Sequence, residues 1–118
     1  MACTVLVVDD HPGFRASARR LLEHDGLLVV GEAVDGRSAL RLTRELSPQV
    51  VLLDIGLPDL SGFEVAKRLG PAACHVVFVS SRDSGDFGRR VEASSALGFI
   101  PKDELSGEAV LAILARAA

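Results

Sequence analysis

Two adjacent carboxylates, Asp9 and Asp10, follow the apolar run Val5-Leu6-Val7-Val8, and a third, Asp54, follows Val50-Val51-Leu52-Leu53. Two more apolar runs end in Ser80-Ser81 and in Pro101-Lys102. Carboxylates packed together repel one another and raise at least one pKa unless a cation relieves them. Hard oxygen ligands on a partly open site suit Mg²⁺, which keeps several waters and takes one or two carboxylates plus a phosphate oxygen. Lys102 and the Ser80 hydroxyl are then groups placed to receive an anion beside that metal. A cation, a lysine, a hydroxyl and a carboxylate nucleophile are the parts required to transfer a phosphoryl group onto aspartate.

Such chemistry depends on elements that bring these residues together. Short runs rich in Val and Ile alternate with longer segments carrying apolar residues at helical spacing, the pattern of a parallel sheet covered on both faces. The predicted strands are Val5–Val8, Leu27–Val30, Val50–Leu53, Val76–Val79 and Gly98–Ile100. Helical stripes lie between and after them: Phe14, Ala18, Leu21 and Leu22; Ala39, Leu42 and Leu46; Val65, Ala66 and Leu69; Phe87 and Val91; and finally Ala109 to Ala117. In an open parallel sheet the ligand crevice lies beyond the carboxyl ends of the strands. With the flavodoxin-like order 2-1-3-4-5, strands one and three are neighbours and the three carboxylates converge.

Punctuation supports these divisions. Pro12 suits a first helical turn, Asp25-Gly26 and Ser47-Pro48 suit helix exits, and Leu57-Pro58-Asp59-Leu60-Ser61-Gly62 suits a loop before a helix. Pro58 and Gly62 are read as shaping the loop after Asp54. The fourth helix is the weak one, because Ser84, Gly85, Gly88, Ser94 and Ser95 lower its helicity.

Composition bounds the function. A chain of 118 residues, 48% apolar and 25% charged, makes one compact domain over residues 1–118 rather than a disordered segment. A net charge of -3 gives no general attraction to nucleic acid or to anionic membrane. No apolar run approaches the length of a membrane span, so a cytoplasmic location is expected. Cys3 and Cys74 have neither disulfide-framework nor metal-ligand spacing and read as two buried free thiols. Asp10, ahead of Pro12, could also cap the first helix. His11 reads as a surface residue near a helix start, and His24 and His75 share no metal-site spacing with it.

The motifs VLVVDDHP, VVLLDIGLPDLSG, VVFVSSRD and GFIPKDEL, in this order at these strand ends, resemble the receiver domain of two-component response regulators over essentially the full chain, most closely the NarL/LuxR-type subfamily. The resemblance implies the (βα)5 receiver fold, with Asp54 as phospho-acceptor for a sensor histidine kinase. It implies Mg²⁺ bound by Asp10, Asp54 and the backbone carbonyl of Gly56, with Asp9 acting mainly through water. Lys102 would pair with the phosphoryl group, Ser80 would donate its hydroxyl to it, and Phe99 would be the aromatic that swings inward, changing the surface of helix four, strand five and helix five. The domain would catalyse only its own phosphorylation and dephosphorylation.

Arg82 and Gly56 are positions implied to influence how long the phosphoryl group lasts. Most NarL/LuxR-type regulators continue into a helix-turn-helix domain that controls transcription, and that output domain is expected to be absent from this chain. Two positions depart from the subfamily pattern. Ser95 stands where a glycine commonly provides a left-handed cap, and proline precedes Lys102 as Pro101 instead of following it. Val110, Ile113, Leu114 and Ala117 motivate a homodimer through the last helix as a hypothesis.

Other functions fit less well. An aspartyl phosphohydrolase would want a second acid two residues after its nucleophile, where Gly56 stands. A nucleotide or flavin fold would want a glycine-rich loop opening a helix, and none follows a strand. A pseudo-receiver that binds partners without phosphoryl chemistry is the remaining alternative, although none of its acidic or lysine positions is lost.

Overall fold

Val5, Leu6, Val7 and Val8 are all fully buried, although alternate residues of a strand face opposite sides of a sheet. That burial is reached only where both faces are covered, the situation of parallel strands in an α/β protein. The computed structural model describes residues 2–70, 73–81 and 87–117 and has this arrangement. Its elements are β1 (Thr4–Val8), α1 (Pro12–His24), β2 (Leu28–Ala33), α2 (Gly36–Leu46), β3 (Val50–Asp54), α3 (Gly62–Leu69), β4 (His75–Ser80), α4 (Gly88–Ala93), β5 (Gly98–Pro101) and α5 (Gly107–Ala117), with a 3-10 turn at Lys102–Glu104. The strands form one sheet in the order β2-β1-β3-β4-β5, every neighbouring pair parallel. The flavodoxin-like expectation is met.

On one face Val5 and Val7 pack with Ala18 and Leu22 of α1 and with Val110 and Ile113 of α5. On the other, Leu6 and Val8 pack with Ala39 of α2 and with Val65 and Ala66 of α3, and Val91 of α4 adds to this cluster from its margin. Val110 and Ile113, two of the four residues that motivate a homodimer, are therefore taken up by the core. Among the described residues no helix is long and apolar enough to cross a membrane.

Strand β2 starts one residue later than predicted and runs three residues further, through Gly31, Glu32 and Ala33. The apolar run stops at Val30 but the strand does not, because β2 lies at the sheet edge and Glu32 meets Arg15 and Arg19 instead of a hydrophobic layer. Helix α4 is short, six residues with none buried, as its composition predicts. Ser84 and Gly85 lie outside the described residues. Its exit differs from expectation: Ser94 is the cap, in extended backbone, and its Oγ donates to the Val91 carbonyl at 2.6 Å. Ser47 is the only non-glycine with positive φ among the described residues, so Ser95 bears no left-handed strain. No described peptide bond is cis, Ile100–Pro101 included. Cys3 and Cys74 are half-buried free thiols, a correction to full burial, since each stands beside its strand and not within it.

The loop after β3 is held by close backbone contact. The Gly62 N–H donates to the Ile55 carbonyl at 2.8 Å, and a Cβ at Gly62 would lie 2.6 Å from the Asp54 carbonyl oxygen and 2.8 Å from Ile55 Cα. Both are main-chain atoms, so a methyl group has to move the loop or the helix. Gly62→Ala is expected to destabilise the fold by about 1–3 kcal/mol, the usual cost of overpacking. A thermal melt checks it, and a melt within a degree of wild type would show that the loop yields freely.

Candidate functional site

Strands β1 and β3 are adjacent at the centre of the sheet, with their outer neighbours on opposite sides, so the point where chain order reverses lies between their carboxyl ends. Asp9 follows β1 and Asp54 is the last residue of β3. Asp9 is fully buried and Asp54 is 4% exposed. Lys102, just past β5, reaches over both: its Nζ lies 2.6 Å from Asp9 Oδ2 and 3.6 Å from Asp54 Oδ2. The same ammonium stands 4.7 Å from the centre of the Phe14 ring, a cation–π contact that holds the long side chain over the strand ends.

The remaining oxygens are only partly satisfied. Asp9 Oδ1 accepts from the His11 N–H at 2.8 Å and lies 2.8 Å from His11 Nδ1. Asp54 Oδ1 accepts from the Gly56 N–H at 3.3 Å. Asp9 Oδ2, buried, receives no aligned hydrogen bond from any described residue and has the Lys102 ammonium as an ion-pair neighbour. Asp10 is more open, its Oδ1 at 3.2 Å from His11 Nδ1. Ligand atoms of Asp9, Asp10, His11 and Asp54 all lie within 4.8 Å of one another.

Burial, and then the Asp9 charge, push the Asp54 carboxyl above its ordinary range, against the opposing pull of Lys102 and the Gly56 N–H; Asp10 adds a smaller upward push. One lysine does not offset three carboxylates, and it sits closer to Asp9 than to Asp54. An oxygen-seeking dication fits this donor set: a buried carboxylate oxygen with the Lys102 ammonium beside it but no aligned hydrogen bond, a second carboxylate whose carboxyl burial pushes up, and a third open to water.

Asp9, Asp10, Asp54 and Lys102 are thus brought together. The Gly56 peptide lies against Asp54, and a Cβ at Gly56 would meet nothing within 4 Å. Ser80 ends β4, 6% exposed, one residue beyond the Asp54–Val79 pairing. Phe99 is half-buried, opposite Phe78 across the β4–β5 pair and against the core beneath α4. Arg82 lies outside the described residues.

Asp10 is not the helix cap. His11 occupies that position, with no side-chain cap bond, and Pro12 removes one of the N–H groups a cap would serve. His11 is at the surface as expected, yet its ring faces the acidic pair. Arg15 escaped sequence reasoning altogether: 15% exposed, it donates from Nη1 to the Asp9 carbonyl at 2.7 Å and is itself held by Glu32 at 3.2 Å. A basic residue on the first turn of a helix that leaves an acidic loop was its only signal.

Asp59 adds a tether. Its carboxylate accepts from the N–H groups of Gly36 at 2.7 Å, Arg37 at 3.0 Å and Leu60 at 2.8 Å, tying the loop after Asp54 to the first turn of α2. Burial pushes its carboxyl up, but those N–H groups outweigh burial and hold it below the ordinary value. The folded state therefore binds this proton less readily than the unfolded chain, and the tether's contribution, present above the unfolded pKa, is lost as pH falls through the folded one. Asp59→Ala is expected to lower the melting temperature at pH 7 and to have a shrinking effect below about pH 4. An effect independent of pH would assign the loss to packing.

A family model described as the response regulator receiver domain matches residues 5–114. The response regulator GacA of Pseudomonas aeruginosa is 38% identical over 112 residues, covering 92% of this chain and 52% of GacA. The virulence-factor transcription regulator BvgA of Bordetella pertussis is 40% identical over 102 residues, covering 85% of this chain and 49% of BvgA. The chain thus spans about half the length of these curated relatives. Among solved structures, the receiver domain of NarL from Mycobacterium tuberculosis superposes with a TM-score of 0.86 at 35% identity, covering 98% of this chain and 96% of that one. A LuxR-family response regulator from Aurantimonas gives 0.86 at 32% identity, covering 98% of this chain and 85% of that one.

Proposed function

The chain belongs to the response regulator receiver domain family, and on that premise we propose that Asp54 accepts a phosphoryl group from the phosphohistidine of a sensor histidine kinase. The observation that carries this reading is the convergence of three carboxylates and one lysine at the switch point of the sheet, with the Asp54 carboxyl pushed up by burial and by Asp9. An Asp54 carboxylate oxygen forms the new bond to phosphorus as the phosphorus–nitrogen bond of the donor breaks, and the donor imidazole leaves with that electron pair. Asp9, Asp10, Asp54 and the Gly56 carbonyl would hold Mg²⁺, which when bound offsets charge on the transferred group. Lys102, held over the site by Phe14 and Asp9, stabilises the same oxygens from the side of β5.

The acyl phosphate on Asp54 then draws Lys102 and the Ser80 hydroxyl toward its oxygens. Phe99, half-buried beside β4, moves into the space that Ser80 vacates, and the α4–β5–α5 surface repacks. That surface is the output, controlling transcription through a helix-turn-helix domain in the cytoplasm, as befits relatives that are transcription regulators. The domain acts on its own aspartate and turns over no separate substrate.

Intact mass after incubation with a small phosphodonor and Mg²⁺ tests the proposal. The gain of one phosphoryl group, lost in EDTA, is the expected result. No gain with any donor would leave the pseudo-receiver, with the acidic cluster reduced to a structural feature.

A further inference from the structure

We propose that His11 supplies an imidazole nitrogen to the divalent site, so that this pocket favours nitrogen-accepting transition ions such as Zn²⁺ or Co²⁺ beyond what its carboxylates alone would give. The inference rests on the receiver reading only in taking Asp9, Asp10 and Asp54 as the metal-facing carboxylates.

The geometry carries it. His11 Nδ1 lies 2.8 Å from Asp9 Oδ1 and 3.2 Å from Asp10 Oδ1. Adjacent ligands around an octahedral ion with bonds of about 2.1 Å stand about 3.0 Å apart, and opposite ones about 4.2 Å apart. The imidazole nitrogen is therefore at the spacing of a neighbouring ligand to both carboxylates. The whole set, Asp54 included, lies within 4.8 Å, and the buried Asp9 Oδ2 still lacks an aligned donor.

The ring is open to water on the side away from the two carboxylates it contacts through Nδ1. His11 stands at the N-cap of α1 with extended backbone, φ −94 and ψ 111, and its side chain makes no cap bond. The side chain is 66% exposed, so Nε2 can carry the ring proton and give it to water while Nδ1 presents its lone pair. That change of tautomer loses the contact between Nδ1 and Asp9 and replaces it with a bond to the metal.

Oxygen ligands of this kind suit Mg²⁺, whereas imidazole adds affinity for softer first-row ions. Removing the ring should thus separate the two classes of metal. His11→Ala, at an exposed position without a cap bond, is expected to weaken Zn²⁺ binding by roughly tenfold or more. Mg²⁺ binding in the same variant should change far less than Zn²⁺ binding, since Mg²⁺ takes oxygen ligands. His11→Gln, which offers an amide oxygen, should behave as His11→Ala toward Zn²⁺.

The experiment is a pair of titrations of the intact chain, followed by calorimetry and by ¹⁵N resonances of the imidazole rings. Zn²⁺ is expected to shift His11 Nδ1 strongly at the first equivalent, before His24 or His75 responds, and Mg²⁺ is expected not to. A first equivalent of Zn²⁺ that leaves His11 Nδ1 unmoved would overturn the inference, as would equal losses of both metals in His11→Ala. Amide resonances of Asp9, Asp10 and Asp54 report on the underlying reading separately. If neither metal moves those amides, the metal-binding reading of the cluster and this assignment fail together; if Mg²⁺ moves them and Zn²⁺ spares His11, this assignment alone fails.

Discussion

Asp54→Asn is expected to abolish the metal-dependent gain of a phosphoryl group and, in the same protein, to raise the melting temperature at neutral pH in the absence of divalent cation. The first effect follows from replacing the carboxylate proposed to attack phosphorus by an amide, which is a far weaker nucleophile. The second follows from the environment of the group. Asp54 is nearly inaccessible to water and lies beside Asp9, with Lys102 a full ångström closer to Asp9 than to it. Its carboxyl is raised by burial first and by Asp9 second. A raised carboxyl means that the folded state binds the proton more readily than the unfolded chain. Stability associated with Asp54 is then fully present below the unfolded pKa and is lost as pH rises through the folded one. Asparagine is neutral throughout, keeps an oxygen able to accept from the Gly56 N–H, and leaves the Lys102–Asp9 pair intact. Melting curves of the two proteins should therefore diverge as pH rises from about 4 to 7, with the variant the more stable. Parallel curves would show that the neighbouring lysine already compensates the buried charge.

Legibility in the sequence followed the physics of burial. Strands covered on both faces appear as unbroken apolar runs, so β1, β3 and β4 could be read together with the polar residue that ends each, and those polar residues belong to the proposed site. Edge strand β2 was read short because Gly31 and Glu32 interrupt the run, and only the arginines of α1 explain a glutamate there. Contacts that cross between elements were hidden for a different reason. Asp59 reaches the Gly36 N–H across 23 positions of chain, and Arg15 reaches the Asp9 carbonyl from the first turn of a helix. Neither leaves a periodic signal, since each depends on how the start of a helix meets a loop at the strand ends. His11 was legible as a surface residue but its ring's orientation was not, because the ring turns toward Asp9, which its Nδ1 contacts at 2.8 Å.

Lys102→Ala tests whether the lysine is a structural counter-ion, a chemical participant, or both. Without it, Asp9 Oδ2 loses its ion-pair neighbour at 2.6 Å while remaining buried, and Asp54 loses the largest influence that pulls its carboxyl down. Breaking a buried pair by removing one partner costs about 3–5 kcal/mol, so the variant in EDTA should melt well below wild type. Mg²⁺ should restore more stability to the variant than it gives to wild type, because there it meets carboxylates with no other counter-charge. Phosphoryl uptake should persist, since Asp54 and the metal-facing carboxylates are unchanged. The response of the surface should not persist in full, because the group at the end of β5 that is drawn toward the acyl phosphate is gone. Amide resonances along α4, β5 and α5, compared before and after phosphorylation, separate these roles. A variant that takes up the phosphoryl group and shifts those resonances as far as wild type would leave Lys102 only its structural part, and coupling from Asp54 to Phe99 would then have to run through Ser80 and β4 alone.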